Sequence, residues 1–185
     1  MPEWCSGPSY DPVTVVTRVQ IPLRAFNPLL IERLSAIPTV ANSKTVGDIT
    51  EIAAAYHLVR ERLSVSLPFG DNDKYDLIVD CRGTLLRVQC KTAWELNPNV
   101  IRFNTHSQTT KNGRYHETTY DGEIDAFLVR DPRREDLFWI PIEDATSLKM
   151  DLRFEADIDH PAINWADDYR LDTQIDHLIS WSLQP

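Results

Sequence analysis

Asp76 opens an otherwise apolar run, Leu77-Ile78-Val79, and Gln89 and Lys91 stand two residues apart in the run Leu85–Thr92. With the period-two alternation of a strand, Leu86, Val88 and Cys90 fall on one face and Arg87, Gln89 and Lys91 on the other. Arg82-Gly83 between the two runs has the spacing of a hairpin turn, which would bring Asp76 beside Gln89 and Lys91. An acid facing an amide and a lysine suits metal-assisted hydrolysis of a phosphodiester. Hard Mg²⁺ takes oxygen ligands, here the Asp76 carboxylate, the Gln89 amide oxygen and the Cys90 backbone carbonyl. Lys91 would orient and help deprotonate the attacking water, or stabilise charge on the phosphorane. Glu51 has Gly47 and Asp48 before it and Ala54 and Ala55 after it at helical spacing, so no cation on its own helix accounts for a carboxylate there. It is the fourth candidate.

The elements that must position these groups follow from periodicity. From about Gly47 to Leu63, Ile49, Ile52, Ala53, Tyr56, Val59 and Leu63 form the stripe of an amphipathic helix, with Ala54, Ala55 and Leu58 as a second small or apolar row. Ser64–Pro68, Tyr75–Cys81, Thr84–Thr92, Val100–Phe103, Ile124–Arg130 and Leu137–Ile142 read as strands. Residues 104–122 are polar and turn-rich and form a hairpin tip or a loop, and Asp125 reads as functional or as a strand anchor, with the structural role preferred. A short helical candidate covers Ile142–Leu148, and a strand and a helix around Thr173–Trp181 follow. Toward the N-terminus, residues 1–11 read as loose, 13–19 as a strand and 27–36 as a short helix. One sheet with helices packed on it, without repeating βαβ units, is an α+β or mixed α/β arrangement.

The 185 residues suit one domain with small appendages. The net charge of -9 argues against a general nucleic-acid coat protein, but it is unevenly spread. Residues 131–185 hold 13 acidic against 5 basic side chains, leaving the rest nearly neutral. A basic groove there is therefore compatible with the composition. Cys5, Cys81 and Cys90 make neither a disulfide framework nor a zinc motif, and the histidines show no HxxxH spacing. No serine-hydrolase elbow and no phosphate-binding GxxxxGK[ST] loop occurs. The absence of a long apolar run or a signal-like start gives the expectation of a cytoplasmic protein with no membrane segment.

The run GDITEIAAAYHLVRERLSVSLPFGDNDKYDLIVDCRGTLLRVQCKTA, with YDGEIDAF further on, resembles the PD-(D/E)XK nuclease superfamily over roughly residues 44–142. Within it, the likeness is to the branch of intron-encoded homing endonucleases and archaeal Holliday-junction resolvases. The resemblance implies a restriction-endonuclease-like core, a central mixed β-sheet flanked by helices. Asp76 matches the metal-binding acid, Lys91 the motif lysine and Glu51 the acid of the first core helix. Gln89 departs from the usual Asp or Glu, as in the intron-endonuclease branch, and Tyr75 replaces the Pro before the acid. The activity implied is a Mg²⁺-dependent DNA endonuclease, with Mn²⁺ able to substitute, acting on double-stranded or branched DNA as a homodimer or homotetramer in a prokaryotic or phage-encoded setting. Lys44, Lys74, Arg87, Arg102, Lys111 and Arg114 are candidate phosphate contacts. The organisation expected is an arm over 1–43, the nuclease core over 44–142 and an acidic extension over 143–185 packed on the core. The competing reading is a DNA-binding or regulatory protein that keeps the fold without turnover.

Overall fold

The computed structural model describes residues 42–70, 73–111, 114–146, 148–157 and 160–181; the strand and helix expected within 13–36 lie outside them. Helix α1, Ser43–Arg60, starts where the Asn42 side chain accepts the Lys44 N–H at 3.2 Å. It ends where Arg62, at φ 67°, lets the Leu63 N–H return to the Leu58 carbonyl at 3.0 Å. Its buried face differs from the expected stripe. Thr50, Ala54 and Leu58 are buried, whereas Ile52 and Val59 are 63% and 58% exposed. The small Thr50 and Ala54 side chains let the helix approach the sheet closely, and the one large side chain in that row, Leu58, fills the remaining depth. Counting apolar residues picked the bulkier row instead.

Strands β1 (Ser64–Ser66), β2 (Leu77–Cys81) and β3 (Thr84–Thr92) follow α1. Then β4 (Trp94–Asn97) pairs with β5 (Val100–Asn104), and β6 (Ser107–Lys111) with β7 (Arg114–Thr118). Strands β8 (Ala126–Asp131), β9 (Asp136–Pro141) and β10 (Lys149–Arg153) complete the set before helix α2, Leu171–Trp181. Residues 104–122 thus contain a hairpin, and the helical candidate after Ile142 is a single 3-10 turn, Ile142–Asp144. β4 went unread because the chain passes from β3 to β4 with only Ala93 between. That residue is buried, and its N–H reaches the Arg130 carbonyl at 2.8 Å.

The main sheet has the order β1-β2-β3-β8-β9, with β3 and β8 parallel and the other pairs antiparallel. It is the mixed sheet of a restriction-endonuclease-like α+β fold. One face carries Leu77, Val79, Leu86, Val88, Leu128 and Trp139 into a core closed by α1 and by Leu171 and Ile175 of α2. The other face is covered over β8 and β9 only. There Phe127, Val129, Phe138 and Ile140 pack against Ile101, Phe103, Met150 and Leu152 of the second sheet, β10-β5-β4. Across β3 the same face keeps Arg87, Gln89 and Lys91 partly exposed.

The corrected helix face makes a stability prediction. Leu58→Ala should cost about 2–5 kcal/mol in urea denaturation through the cavity it leaves. Ile52→Ser should stay within about 0.5 kcal/mol of the parent. Equal losses from the two would mean that the helix buries the other row.

Candidate active site

The β2–β3 turn sets the site. Arg82 and Gly83 both have positive φ, 53° and 103°, the pairing that a two-residue hairpin loop requires, and the Asp80 carboxylate accepts the Gly83 N–H at 2.6 Å. From Cys81 opposite Thr84 the register runs to Leu77 opposite Val88, and the Asp76 N–H donates to the Val88 carbonyl at 2.9 Å. Asp76 therefore stands beside Gln89. Its Oδ2 accepts the Cys90 N–H at 2.7 Å and a hydrogen bond from the Gln89 side-chain amide. The same Gln89 nitrogen lies 3.3 Å from the Cys90 carbonyl, so a carboxylate oxygen and a main-chain oxygen converge on one point.

α1 adds the fourth group from the opposite side of β3. A hydrogen bond of 2.6 Å between the hydroxyls of Thr50 and Thr92 pins the helix to the end of β3 and brings the neighbouring Glu51 into the electrostatic reach of Asp76. Burial, then Asp76 and Asp48, raise the Glu51 pKa above the ordinary carboxylate value. Burial also raises that of Asp76, against the opposing pull of the Cys90 N–H and the Lys91 charge. The Lys91 pKa is lowered by burial, with Asp76 working the other way. Two carboxylates thus sit close enough to repel in a partly desolvated site, with the half-buried Lys91 as the cationic neighbour of Asp76.

Lys91 does not point into open solvent. Its Nζ donates to the Tyr120 hydroxyl at 2.7 Å, and Tyr120 is 4% exposed. Lys91, Thr92, Asn104, His106, Ser107 and Tyr120 line a polar cavity of about 280 Å³. Cys90 presents its thiol to the helix-covered core, and burial drives the thiol pKa well above normal. Only its main chain belongs to the site.

The candidate phosphate contacts divide. Arg87 is held by Asp125 through a side-chain pair at 2.9 Å and by the Gly122 carbonyl at 3.0 Å, and Asp125 also accepts the Arg87 N–H at 2.7 Å. This locks β3 to the segment entering β8. Arg102 is paired with Asp151 across β5 and β10 at 2.7 Å. Both guanidinium groups are thus paired with carboxylates in this structure. Lys74 lies near the site, donating to Thr118 at 3.0 Å, with its Nζ 5.8 Å from the Tyr120 ring centre. Lys44 is exposed at the start of α1, and Lys111 and Arg114 face one another at the tip of the β6–β7 hairpin. Tyr120, Thr50 and Thr92 were not singled out by the sequence reading; no spacing rule links them to the acid and lysine, since the fold brings them together.

A family model for PD-(D/E)XK endonucleases matches residues 41–172. The chain belongs to the PD-(D/E)XK endonuclease family. A solved structure of a bacterial homing endonuclease, I-Ssp6803I, is similar in fold, with a TM-score of 0.65 and 23% sequence identity over 78% of this chain and 98% of that one. No curated protein matches the sequence. Asp76, just before β2, and Lys91, in β3, stand on either side of Gln89. Members of this family generally use divalent metal ions. Among the described residues no cluster of three His, Cys, Asp or Glu side chains is set to hold one. The donors present are the Asp76 carboxylate, the Cys90 carbonyl, the Gln89 amide and the nearby Glu51 carboxylate. All of these offer oxygen, and Mg²⁺ commonly uses only one or two carboxylates with water and substrate phosphate, so the residues fit a hard divalent cation.

Because the folded state raises the pKa of Asp76 and Glu51, it holds their protons more tightly than the unfolded chain does. Stability should therefore fall as pH rises above the ordinary carboxylate pKa of about 4 and on through the raised folded-state values. Asp76→Asn, which keeps an acceptor for the Cys90 N–H, should raise the metal-free Tm at neutral pH by a few degrees and flatten that fall. A pH series of thermal melts checks this, and a lower Tm at neutral pH would refute it.

Proposed function

We propose that this protein is a Mg²⁺-dependent endodeoxyribonuclease whose site consists of Asp76, Gln89, Lys91 and Glu51. The observation that carries the reading is the convergence of the Asp76 carboxylate and the Cys90 carbonyl around Gln89, with Lys91 next in the strand. Asp76, the Cys90 carbonyl and the Gln89 amide would hold the ion, with Glu51 holding water from the helix side. Gln89 now turns its nitrogen to Asp76 and Cys90, and a half-turn of the amide presents its oxygen instead. Bound there, the ion supplies charge neutralisation at the phosphate and a more acidic water.

Lys91 supplies the mobile charge of the reaction. Its ammonium lies near enough to Asp76 to be influenced by it, and it offers donors beyond the one given to Tyr120. It orients the attacking water and stabilises charge on the pentavalent phosphorus. Burial lowers the Lys91 pKa, so the neutral amine that can take a proton from water forms more easily there than in a solvated lysine.

Cutting both strands of a duplex takes two such sites, which a homodimer or homotetramer would provide. Lys44, Lys74, Lys111 and Arg114 are the cations proposed to meet phosphate, with the β6–β7 hairpin as the reading arm. None of the described helices is long and apolar enough to cross a membrane. A DNA-cutting role would place the protein in the cytoplasm of its host.

Lys91→Ala should abolish cutting and leave DNA binding largely intact, and Asp76→Ala should lose both cutting and Mg²⁺ affinity. The assay is cleavage of supercoiled plasmid, host genomic DNA and a synthetic four-way junction in Mg²⁺ or EDTA, with Mg²⁺ binding followed by calorimetry. Discrete metal-dependent cuts lost in Lys91→Ala would support the endonuclease, and substrate preference would separate a site-specific enzyme from a resolvase. DNA binding without cutting, equal with and without Mg²⁺, would favour a non-catalytic DNA-binding role.

A further inference from the structure

The β6–β7 hairpin is rooted directly in the active site. Its first rung pairs Ser107 with Thr118. Thr118 accepts a hydrogen bond from Lys74 at 3.0 Å. Ser107 lines the same cavity as Tyr120 and Lys91 and acts on the Tyr120 phenol, which accepts from Lys91 at 2.7 Å. Tyr120 is firmly seated, with its ring edge-on to Phe127 at a centroid distance of 5.3 Å. Lysine, by contrast, carries about 2 kcal/mol of rotamer entropy on a flexible four-carbon stem. A group that must act on a phosphate has to be placed to within a fraction of an ångström, and the Tyr120 hydroxyl is the contact that fixes the far end of Lys91.

We propose that Tyr120 is the positioning residue for Lys91, and that through Ser107 it makes the placement of Lys91 depend on how the β6–β7 hairpin is seated. Its effect on rate rests on the endonuclease reading above. DNA that leaves the hairpin in this posture keeps Lys91 in place. DNA that pries the hairpin away pulls on Ser107 and releases the tyrosine and lysine behind it. Engagement of the arm then governs turnover more than affinity.

The full-length chain is compared with Tyr120→Phe, Ser107→Ala and the double variant. The first readout needs no activity: ¹³C relaxation of the Lys91 ε-methylene in lysine-labelled protein, assigned by its loss in Lys91→Arg. Lys91 should become more mobile in both single variants, and the double should be no looser than Tyr120→Phe alone. The second readout is single-turnover cleavage. Each single variant should slow about tenfold while DNA affinity stays within about twofold, and the double should be no slower than Tyr120→Phe, as expected for residues acting in series. A Lys91 side chain as ordered in Tyr120→Phe as in the parent, or rate losses that multiply, would overturn the proposal. If Tyr120→Phe does not fold, Ser107→Ala, which loses one partly exposed hydroxyl, carries the same two readouts. If the parent protein cuts none of the substrates, the endonuclease reading fails by itself and the Lys91 relaxation still decides the positioning role.

Discussion

The register between β2 and β3 is the constraint on which the site depends. A turn of two residues leaves no slack, and Arg82 and Gly83 both adopt the left-handed conformation that such a turn demands. Once Cys81 faces Thr84, Asp76 must face Gln89. A slip of one residue would swing Asp76 onto the face packed under α1, where a carboxylate would meet Leu58 and Ala54 instead of an amide and a lysine. The hydrogen bond from Gly83 to Asp80 and the clamp of Arg87 on Asp125 hold the first half of β3 against that slip.

The second constraint is the incomplete covering of the main sheet. The small β10-β5-β4 sheet hides the far face of β8 and β9 and stops short of β3, so one face of a single strand lies at the border between core and cleft. Lys91 lies at that border, desolvated enough for its proton affinity to fall, yet still partly exposed. Asp76 and Glu51 pay in stability for the same placement, the common trade-off between a strained polar site and a robust fold.

What the sequence discloses here is what lies close along the chain. Asp76, Gln89 and Lys91 belong to one hairpin, so period-two alternation and a turn signal were enough to align them. Glu51 stood out for lacking a helical partner, yet the hydroxyl contact from Thr50 to Thr92 that brings it in spans 42 positions. Long-range pairing also involves the arginines. The type of Arg87 or Arg102 suggests phosphate, and their pairing with Asp125 and Asp151, distant in sequence, cannot be read from type alone. The α1 face was misjudged for a related reason: hydrophobicity along a helix does not say how near the sheet lies, and the nearer row here is the one built from Thr and Ala.

Cys90 divides its duties between side chain and main chain. The thiol belongs to the packed interior, while the carbonyl faces the acid and the amide. A donor taken from the peptide backbone survives any replacement of the residue that bears it, so selection at position 90 is free to act on volume alone. Valine, alanine or isoleucine there would keep the oxygen in place as long as the interior accepted the change in size. The chemistry of the site is thereby partly uncoupled from the identity of one of its members, and a lineage could remodel the interior beneath the cleft without first rebuilding the cleft.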